Sequence, residues 1–270
     1  MARRHPLGSY VVLAYTLSWA WWLPLLVSGA VTRPGQGWPT HVPGLLGPAL
    51  AAVVVTGLAD GRAGLSDLWS RVTRWRVGRV WWLVVVATAA LALLGLVVPL
   101  LTGQPEPGLD GFARYSGIGE IGLPAVLLVA FLVNGMGEEI GWRGFAVERL
   151  LPRHGLTRTA FLVVLVWAPW HLPTFWVVES FRDRGVLGNL AWLVGIAAGS
   201  VVLTYLYRES GRSVLLVGAW HTAFNLTSAT EATSDVIAVL TSALVIVWAV
   251  WVLRREHAAG DRVAPDPARG

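Results

Sequence analysis

The hydrophobic positions of the chain fall into long runs that are separated by short polar segments. A helix that spans a membrane needs about 20 mostly apolar residues. Segments of this kind lie at 7–27, 42–58, 80–101, from about 118 into or through 134–145, at 157–178, 187–207, 213–228 and 236–253. The second and the seventh are short. The pattern predicts an all-α polytopic membrane protein, built as a bundle of about eight transmembrane helices.

The composition supports a membrane environment. Of 270 residues, 55% are hydrophobic and 14% are charged, whereas soluble domains carry about 25% charged residues. The chain has no cysteine, which excludes disulfides, thiolate nucleophiles and cysteine-ligated metals. Any metal ion would need histidine and carboxylate ligands. The excess of Arg, Ala, Gly and Val without lysine is typical of a bacterial genome.

The arginines predict the topology. With both termini in the cytoplasm, 17 of the 21 arginines fall in inner segments, and the inner set includes Arg143. This asymmetry follows the positive-inside rule and is unlike the basic patch of a nucleic-acid-binding protein. We therefore expect a multi-pass protein of the plasma membrane that contacts lipids and no nucleic acid. The four arginines expected outside are Arg33, Arg114, Arg182 and Arg184.

Two further segments have distinct compositions. Residues 66–79 (SDLWSRVTRWRVGR) mix aromatics with arginines and begin at a serine suited to a helix N-cap, which predicts a short interfacial helix on the inner leaflet. An ordinary basic loop is the alternative. Residues 257–270 are polar and rich in Ala, Pro and Gly, and we expect a disordered cytoplasmic tail there. The remaining 1–256 then form a single transmembrane domain.

Three predicted helices each carry a polar cluster in an apolar setting. The first cluster lies in NGMGEEIGWRGF (134–145), with Glu138 and Glu139, and the others contain His171 and His221. An ionisable group within a span costs about 2.5–3.5 kcal/mol on insertion scales, so such residues are usually paired or functional. One cluster could be a packing device, but three together indicate a site.

Helical spacing assigns the partners. Glu139 and Arg143 are four residues apart and can form an ion pair on one helix face. Glu138 is rotated by about 100° and needs a partner on another helix. We expect it to point at the histidines of the other two helices.

The same spacing pairs two other sets of residues. His221 and Asn225 can point at one spot, and Trp167 can form a wall beside His171. Pro169 and Pro173 bracket that histidine and remove backbone donors, which favours a water-accessible pocket.

These groups can activate water in two ways. Glu138 can act as general base, with one imidazole orienting the water and the other joining Asn225 as donors to an oxyanion. Alternatively, Glu138, His171 and His221 match a zinc site with two His ligands, one Glu and an open position. The zincin motif HExxH is absent, but both hypotheses remain open.

The motifs resemble those of the CPBP group of intramembrane proteases, which includes the type II CAAX prenyl endopeptidases and the Abi proteins. Its EExxxR motif is matched by Glu138 to Arg143, its FxxxH motif by His171 with Trp167 in place of Phe, and its final His and Asn by His221 and Asn225. The resemblance covers about 118–228, the expected catalytic core.

The resemblance implies an intramembrane endopeptidase whose site opens towards the cytoplasm. It implies that Glu138 and His171 activate the water, that His221 and Asn225 stabilise the oxyanion, and that Glu139 and Arg143 support the site. The expected substrate is a membrane-associated or lipidated peptide or protein. The resemblance leaves open whether Zn²⁺ is a cofactor, and we prefer a metal-free mechanism.

Two alternatives belong to other functional classes. The same fold could be a proteolytically inactive scaffold, such as a bacteriocin self-immunity or assembly factor, although a scaffold has no need of all four groups. A proton-coupled transporter would also bury Glu and His residues. The chain shows no inverted repeat of the kind that many transporters contain, which disfavours that class.

Overall fold

The computed structural model describes residues 2–103, 108–233 and 235–261, and these residues form helices and loops without a β-strand. The elements, in chain order, are α1 (Pro6–Val27), α2 (Gly47–Val72), α3 (Arg79–Leu91), α4 (Leu94–Thr102), α5 (Asp110–Ala113), α6 (Leu123–Val129), α7 (Met136–Gly141), α8 (Glu148–Trp170), α9 (Thr174–Val177), α10 (Glu179–Arg182), α11 (Gly185–Glu209), α12 (Val214–Asn225) and α13 (Asp235–Asp261). The predicted all-α class is confirmed.

In the described part of the chain, six helical stretches are long and apolar enough to cross a membrane. The fourth and fifth predicted spans both lie in one of these stretches, Leu123–Trp170, and are separated by a break at Gly155. The seventh predicted span corresponds to α12, which has only 12 residues. The chain is therefore a polytopic membrane protein, while the count of eight spans and the side of each terminus stay predictions.

Glycine breaks one long helix where the sequence becomes polar. Gly61 has φ +66° and ψ −153° inside α2, a backbone conformation that only glycine adopts readily. The helix that follows the break, 62–72, covers part of the predicted interfacial segment 66–79. The observed helix starts earlier than the predicted serine cap and ends at Val72, and residues 74–78 are not helical.

The last helix extends into the segment expected to be a disordered tail. Residues 257–261 are the end of α13. Most of residues 253–259 (LRREHAA) are strong helix formers, which favours continuation of the helix. Residues 262–270 of that predicted tail lie outside the described residues.

The glutamate motif lies between two π-helical turns. Ala130–Gly135 joins α6 to α7, and Trp142–Val147 joins α7 to α8. A π-turn accommodates one extra residue per turn and is frequent at functional sites. The short α7 contacts α2 and α12, so the motif is buried at the centre of the bundle. Arg143, which we counted among the inner-loop arginines, is one of these buried residues.

Small residues permit this close packing. A Cβ atom placed on Gly135 would collide with the Thr222 hydroxyl and the Gly218 carbonyl of α12, and one on Gly141 would collide with Pro48 and Tyr10. Backbones approach closely where helices lack side chains, so these contacts bring α7 against α2 and α12.

Three loops bind one another at one end of the bundle. The Gly35 amide donates to the Tyr115 carbonyl (3.2 Å), the Gly117 amide to the Arg33 carbonyl (3.1 Å) and the Ser116 amide to the Ala229 carbonyl (3.0 Å). We call residues 28–41, 114–122 and 226–233 the loop layer. It holds Tyr115 next to the ends of α6 and α12.

Substituting Gly135 with Ala tests the α7–α12 contact. We expect the variant to lose about 1–3 kcal/mol of unfolding free energy, because the added methyl group overpacks the interface. Thermal unfolding of the purified protein in detergent measures the loss. Gly195→Ala is the matched control, since no atom lies within 4 Å of the added Cβ and alanine favours the helix. Equal stability of Gly135→Ala and wild type would contradict the contact.

The absence of cysteine makes a topology test direct. We expect a cysteine at Arg76 to react with a membrane-impermeant thiol reagent only after the cells are opened, because the arginine pattern places this residue inside. A cysteine at Asp183 should react in intact cells. Both side chains are exposed in the structure. The reverse labelling pattern would overturn the predicted orientation.

Candidate active site

The Glu139 carboxylate joins two of the predicted clusters. Its Oε1 accepts a hydrogen bond from Arg143 Nη1 (3.0 Å) and another from His221 Nδ1 on α12 (2.8 Å). Glu139 and Arg143 are fully buried. The ion pair expected from the spacing of four is confirmed. Because a carboxylate only accepts, Nδ1 of His221 carries a proton, and Nε2 is the nitrogen left for other chemistry.

Glu138 has a different partner from the one that we expected. Its Oε2 accepts a hydrogen bond from the indole Nε1 of Trp167 on α8 (2.7 Å), and the side chain is almost fully buried. We expected a histidine in this position, but His221 bonds to Glu139 instead. The 100° rotation between consecutive residues does send the two carboxylates to different helices.

Trp167 occupies the centre of the site. Its ring lies 4.4 Å from the guanidinium carbon of Arg143, and its ring centroid is 5.9 Å from the centroids of both His171 and His221. The cation above the ring gains electrostatic stabilisation in this desolvated setting. We expected an aromatic wall at this position, and the indole N–H adds a donor that phenylalanine lacks.

His171 lies where α8 ends. Its backbone amide bonds to Ala168 (3.2 Å), one residue closer than in an α-helix, and the carbonyl of Trp167 is left for the imidazole Nδ1 (2.9 Å). The tightened turn is consistent with the adjacent Pro169, which lacks an N–H. Since a carbonyl only accepts, Nδ1 is the protonated nitrogen and Nε2 is left for other chemistry. Aromatic rings of Trp170, Trp192 and Phe181 surround this histidine.

Asn225 belongs to an amide chain. Its Nδ2 donates to Asn134 Oδ1 (3.0 Å), and Asn134 Nδ2 donates to the hydroxyl of Tyr115 (2.9 Å). Asn134 is the first residue of the segment NGMGEEIGWRGF that carries the first polar cluster, whereas Tyr115 lies outside the three clusters. No sequence signal identifies Tyr115, because it lies in a loop more than 100 residues from Asn225.

A second polar cluster supports the end of the motif. The buried Arg71 donates through Nη1 to the Gly144 carbonyl (2.6 Å) and to the Tyr207 hydroxyl (3.1 Å), and its Nη2 pairs with Asp67 (2.8 Å). This arginine lies on the helix that follows the break at Gly61. It ties that helix to the second π-turn of the motif.

The residues proposed for zinc are arranged for hydrogen bonding. In the described ranges, no group of three or more His, Asp or Glu side chains is placed to hold a metal ion. One nitrogen of each histidine is a donor within the protein, and one oxygen of Glu138 faces Trp167. An engaged Nδ1 does not argue against a metal, since metal-ligating histidines usually donate their other N–H within the protein. Because Glu138, His171 and His221 are not placed together as a group of ligands in the described residues, they do not fit a zinc site, and we derive no step through a metal.

Comparison with known proteins agrees with this fold and site. Residues 120–227 match the family model described as type II CAAX prenyl endopeptidase Rce1-like. This segment contains the site residues Glu138, Glu139, His171, His221 and Asn225. The chain is also 23% identical over 251 residues to the CAAX prenyl protease 2 of Methanococcus maripaludis, and the alignment covers 91% of each protein.

The helical architecture defines a multi-pass membrane protein. The resemblance to the CPBP family is confirmed, since the matched segment is similar to the type II CAAX prenyl endopeptidases.

Replacing Trp167 with Phe tests its bond to Glu138. The variant keeps an aromatic ring but leaves a buried carboxylate oxygen without its donor, and we expect a loss of about 1–3 kcal/mol of unfolding free energy. Thermal unfolding in detergent measures it. In a Glu138→Ala background the same change should cost clearly less, since the acceptor is already gone. Trp176→Phe, at a half-exposed tryptophan, is the control; equal losses in both backgrounds would contradict the bond.

Proposed function

We propose that the protein hydrolyses a peptide bond of a membrane-associated or lipidated peptide or protein, using water activated by Glu138. The observation that carries the proposal is the division of labour between the two glutamates. Glu139 is neutralised by Arg143 and His221, whereas Glu138 has a neutral indole as its hydrogen-bond donor. A carboxylate without a cationic hydrogen-bond partner is the better proton acceptor of the two.

The proposed first step is proton transfer from water to Glu138. The oxygen of the water attacks the scissile carbonyl as its proton moves to the carboxylate, and the carbonyl oxygen becomes an oxyanion. The Trp167 N–H holds one carboxylate oxygen, so the other oxygen is the acceptor. His171 shares in orienting the water through Nε2, since its Nδ1 is engaged by the Trp167 carbonyl.

Stabilisation of the oxyanion is assigned to α12. Glu139 accepts from Nδ1 of His221 and stabilises its doubly protonated form, whose Nε2–H donates to the oxyanion. The Asn225 amide, one turn further along, supplies an N–H. When the tetrahedral intermediate breaks down, the C–N bond cleaves and the proton held by Glu138 passes to the leaving nitrogen. The atoms balance with water as the sole co-reactant.

The substrate class follows from the position of the site. The polar residues lie in a helical bundle whose surface carries many exposed apolar side chains, so a substrate reaches them from the lipid or its interface. The relative from Methanococcus maripaludis is a CAAX prenyl protease by its printed name, which supports a peptide with a lipid-facing segment. Membrane lipids are the surrounding partners. We propose the metal-free mechanism because Glu138, His171 and His221 are not placed together as a group of metal ligands in the described residues.

Substitution of the proposed base and of one oxyanion-stabilising residue tests the proposal. We expect Glu138→Gln to reduce cleavage of a membrane-peptide library by about 10²–10⁴-fold, the usual contribution of a general base, and His221→Ala by about 10²–10³-fold, the usual cost of losing an oxyanion donor. Glu138→Gln retains an acceptor for Trp167 but cannot take a proton. The control His5→Ala changes an exposed histidine that precedes α1 and should cleave like wild type.

The outcomes separate the three functional classes. Cleavage by wild type that survives in both variants would refute the assigned roles. No cleavage by any purified form would favour the inactive scaffold, and proton uptake without cleavage would favour a transporter. Activity that a chelator abolishes and Zn²⁺ restores would replace the metal-free mechanism by a metal-dependent one.

A further inference from the structure

We propose that Tyr115 is a positioning residue that fixes the orientation of the Asn225 amide through Asn134. The inference rests on the proposed function, because its importance depends on Asn225 facing an oxyanion. It adds a residue that lies outside the matched segment 120–227 and outside the three sequence motifs.

The hydrogen bonds that join Asn225, Asn134 and Tyr115 run in one direction. The Tyr115 hydroxyl oxygen accepts from Asn134 Nδ2, so Asn134 turns its Oδ1 towards Asn225. Asn225 must then present Nδ2, and it donates one of its two N–H groups to Asn134. The Asn225 side chain also interacts directly with the Tyr115 hydroxyl, so Tyr115 holds this amide both directly and through Asn134.

The side-chain amides of Asn134 and Asn225 are nearly symmetric in shape. The oxygen and nitrogen ends of an Asn side chain have nearly the same shape, so hydrogen-bond partners alone decide which end points where. The Tyr115 hydroxyl anchors one end of the Asn134 amide, and without this partner Asn134 can turn over and offer its nitrogen to Asn225. Asn225 would then present its carbonyl oxygen to Asn134 and lose its fixed orientation.

The Tyr115 hydroxyl is held by a buried ring and by the backbone on either side of the site. Tyr115 is 2% exposed and packs with Ile118, Val126 and Ala130. The amide of the next residue, Ser116, bonds to the Ala229 carbonyl (3.0 Å), and the Ala229 amide bonds to the Asn225 carbonyl (2.8 Å). Tyr115 and Asn225 are thus attached to the same loop residue, and their separation is set by the backbone as well as by Asn134.

The test uses Tyr115→Phe, which removes one oxygen and keeps the ring. Coupling is measured without reference to activity, from the thermal unfolding midpoints of wild type, Tyr115→Phe, Asn225→Ala and the double variant. We expect the drop in unfolding midpoint of the double variant to be smaller than the sum of the two single drops, because either substitution alone already breaks the hydrogen-bond chain from Tyr115 to Asn225. Additive losses would refute the link, whether or not the protein cleaves peptides.

Kinetics tests the positioning role. On the library peptide that wild type cleaves fastest, we expect Tyr115→Phe to lower kcat about 10-fold with KM unchanged, a smaller loss than removal of an oxyanion donor, which costs about 10²–10³-fold. In an Asn225→Ala background the same change should have little effect. A kcat equal to that of wild type would reject the role even if the unfolding midpoints are coupled.

Tyr205→Phe is the matched control. Its hydroxyl accepts a hydrogen bond from Arg255 (2.9 Å) and its ring packs against Trp248 and Trp251. The control loses a buried tyrosine hydroxyl elsewhere in the bundle and should keep the wild-type kcat. If wild type cleaves no peptide, the proposed function fails, while the unfolding midpoints still decide whether Tyr115 holds Asn225.

Discussion

The burial of charge in an apolar bundle is the constraint on which the rest of the site depends. A buried ion is costly unless its partners replace the lost water. Glu139 meets this condition through one oxygen, Oε1, which accepts from Arg143 on its own helix and from His221 on another. Its other oxygen, Oε2, is buried without a hydrogen-bond partner among the described residues. Because this carboxylate uses both partners, Glu138 is left with the indole of Trp167. The different chemistry of two adjacent glutamates thus follows from which one neutralises the arginine.

Contacts within one helix were predictable from the sequence. The ion pair between Glu139 and Arg143 follows from a spacing of four, and the long apolar segments follow from the length of a membrane span. The convergence of three polar clusters also followed, because buried polar groups need partners and the chain offers few. The break at Gly61 was not foreseen, since a glycine in a helical pattern is often tolerated.

Contacts between helices could not be assigned in the same way. Which histidine faces which glutamate depends on the rotation of α8 and α12 about their axes, and two π-turns change the rotation of α7 in a way that apolar spacing does not reveal. The result is that His221 pairs with Glu139 and not with Glu138. Tyr115 reaches the site through loop packing, which has no periodic pattern to read.

The π-turns make the orientation of the two glutamates a matter of residue count. Each turn holds one residue more than an α-helix would, and one residue corresponds to about 100° of rotation. Shortening Ala130–Gly135 by a single residue would rotate the helix before it relative to Glu138 and Glu139, or rotate the pair away from α8 and α12. A relative with one residue fewer in this segment could therefore keep the EExxxR motif and still direct its two glutamates towards different helices.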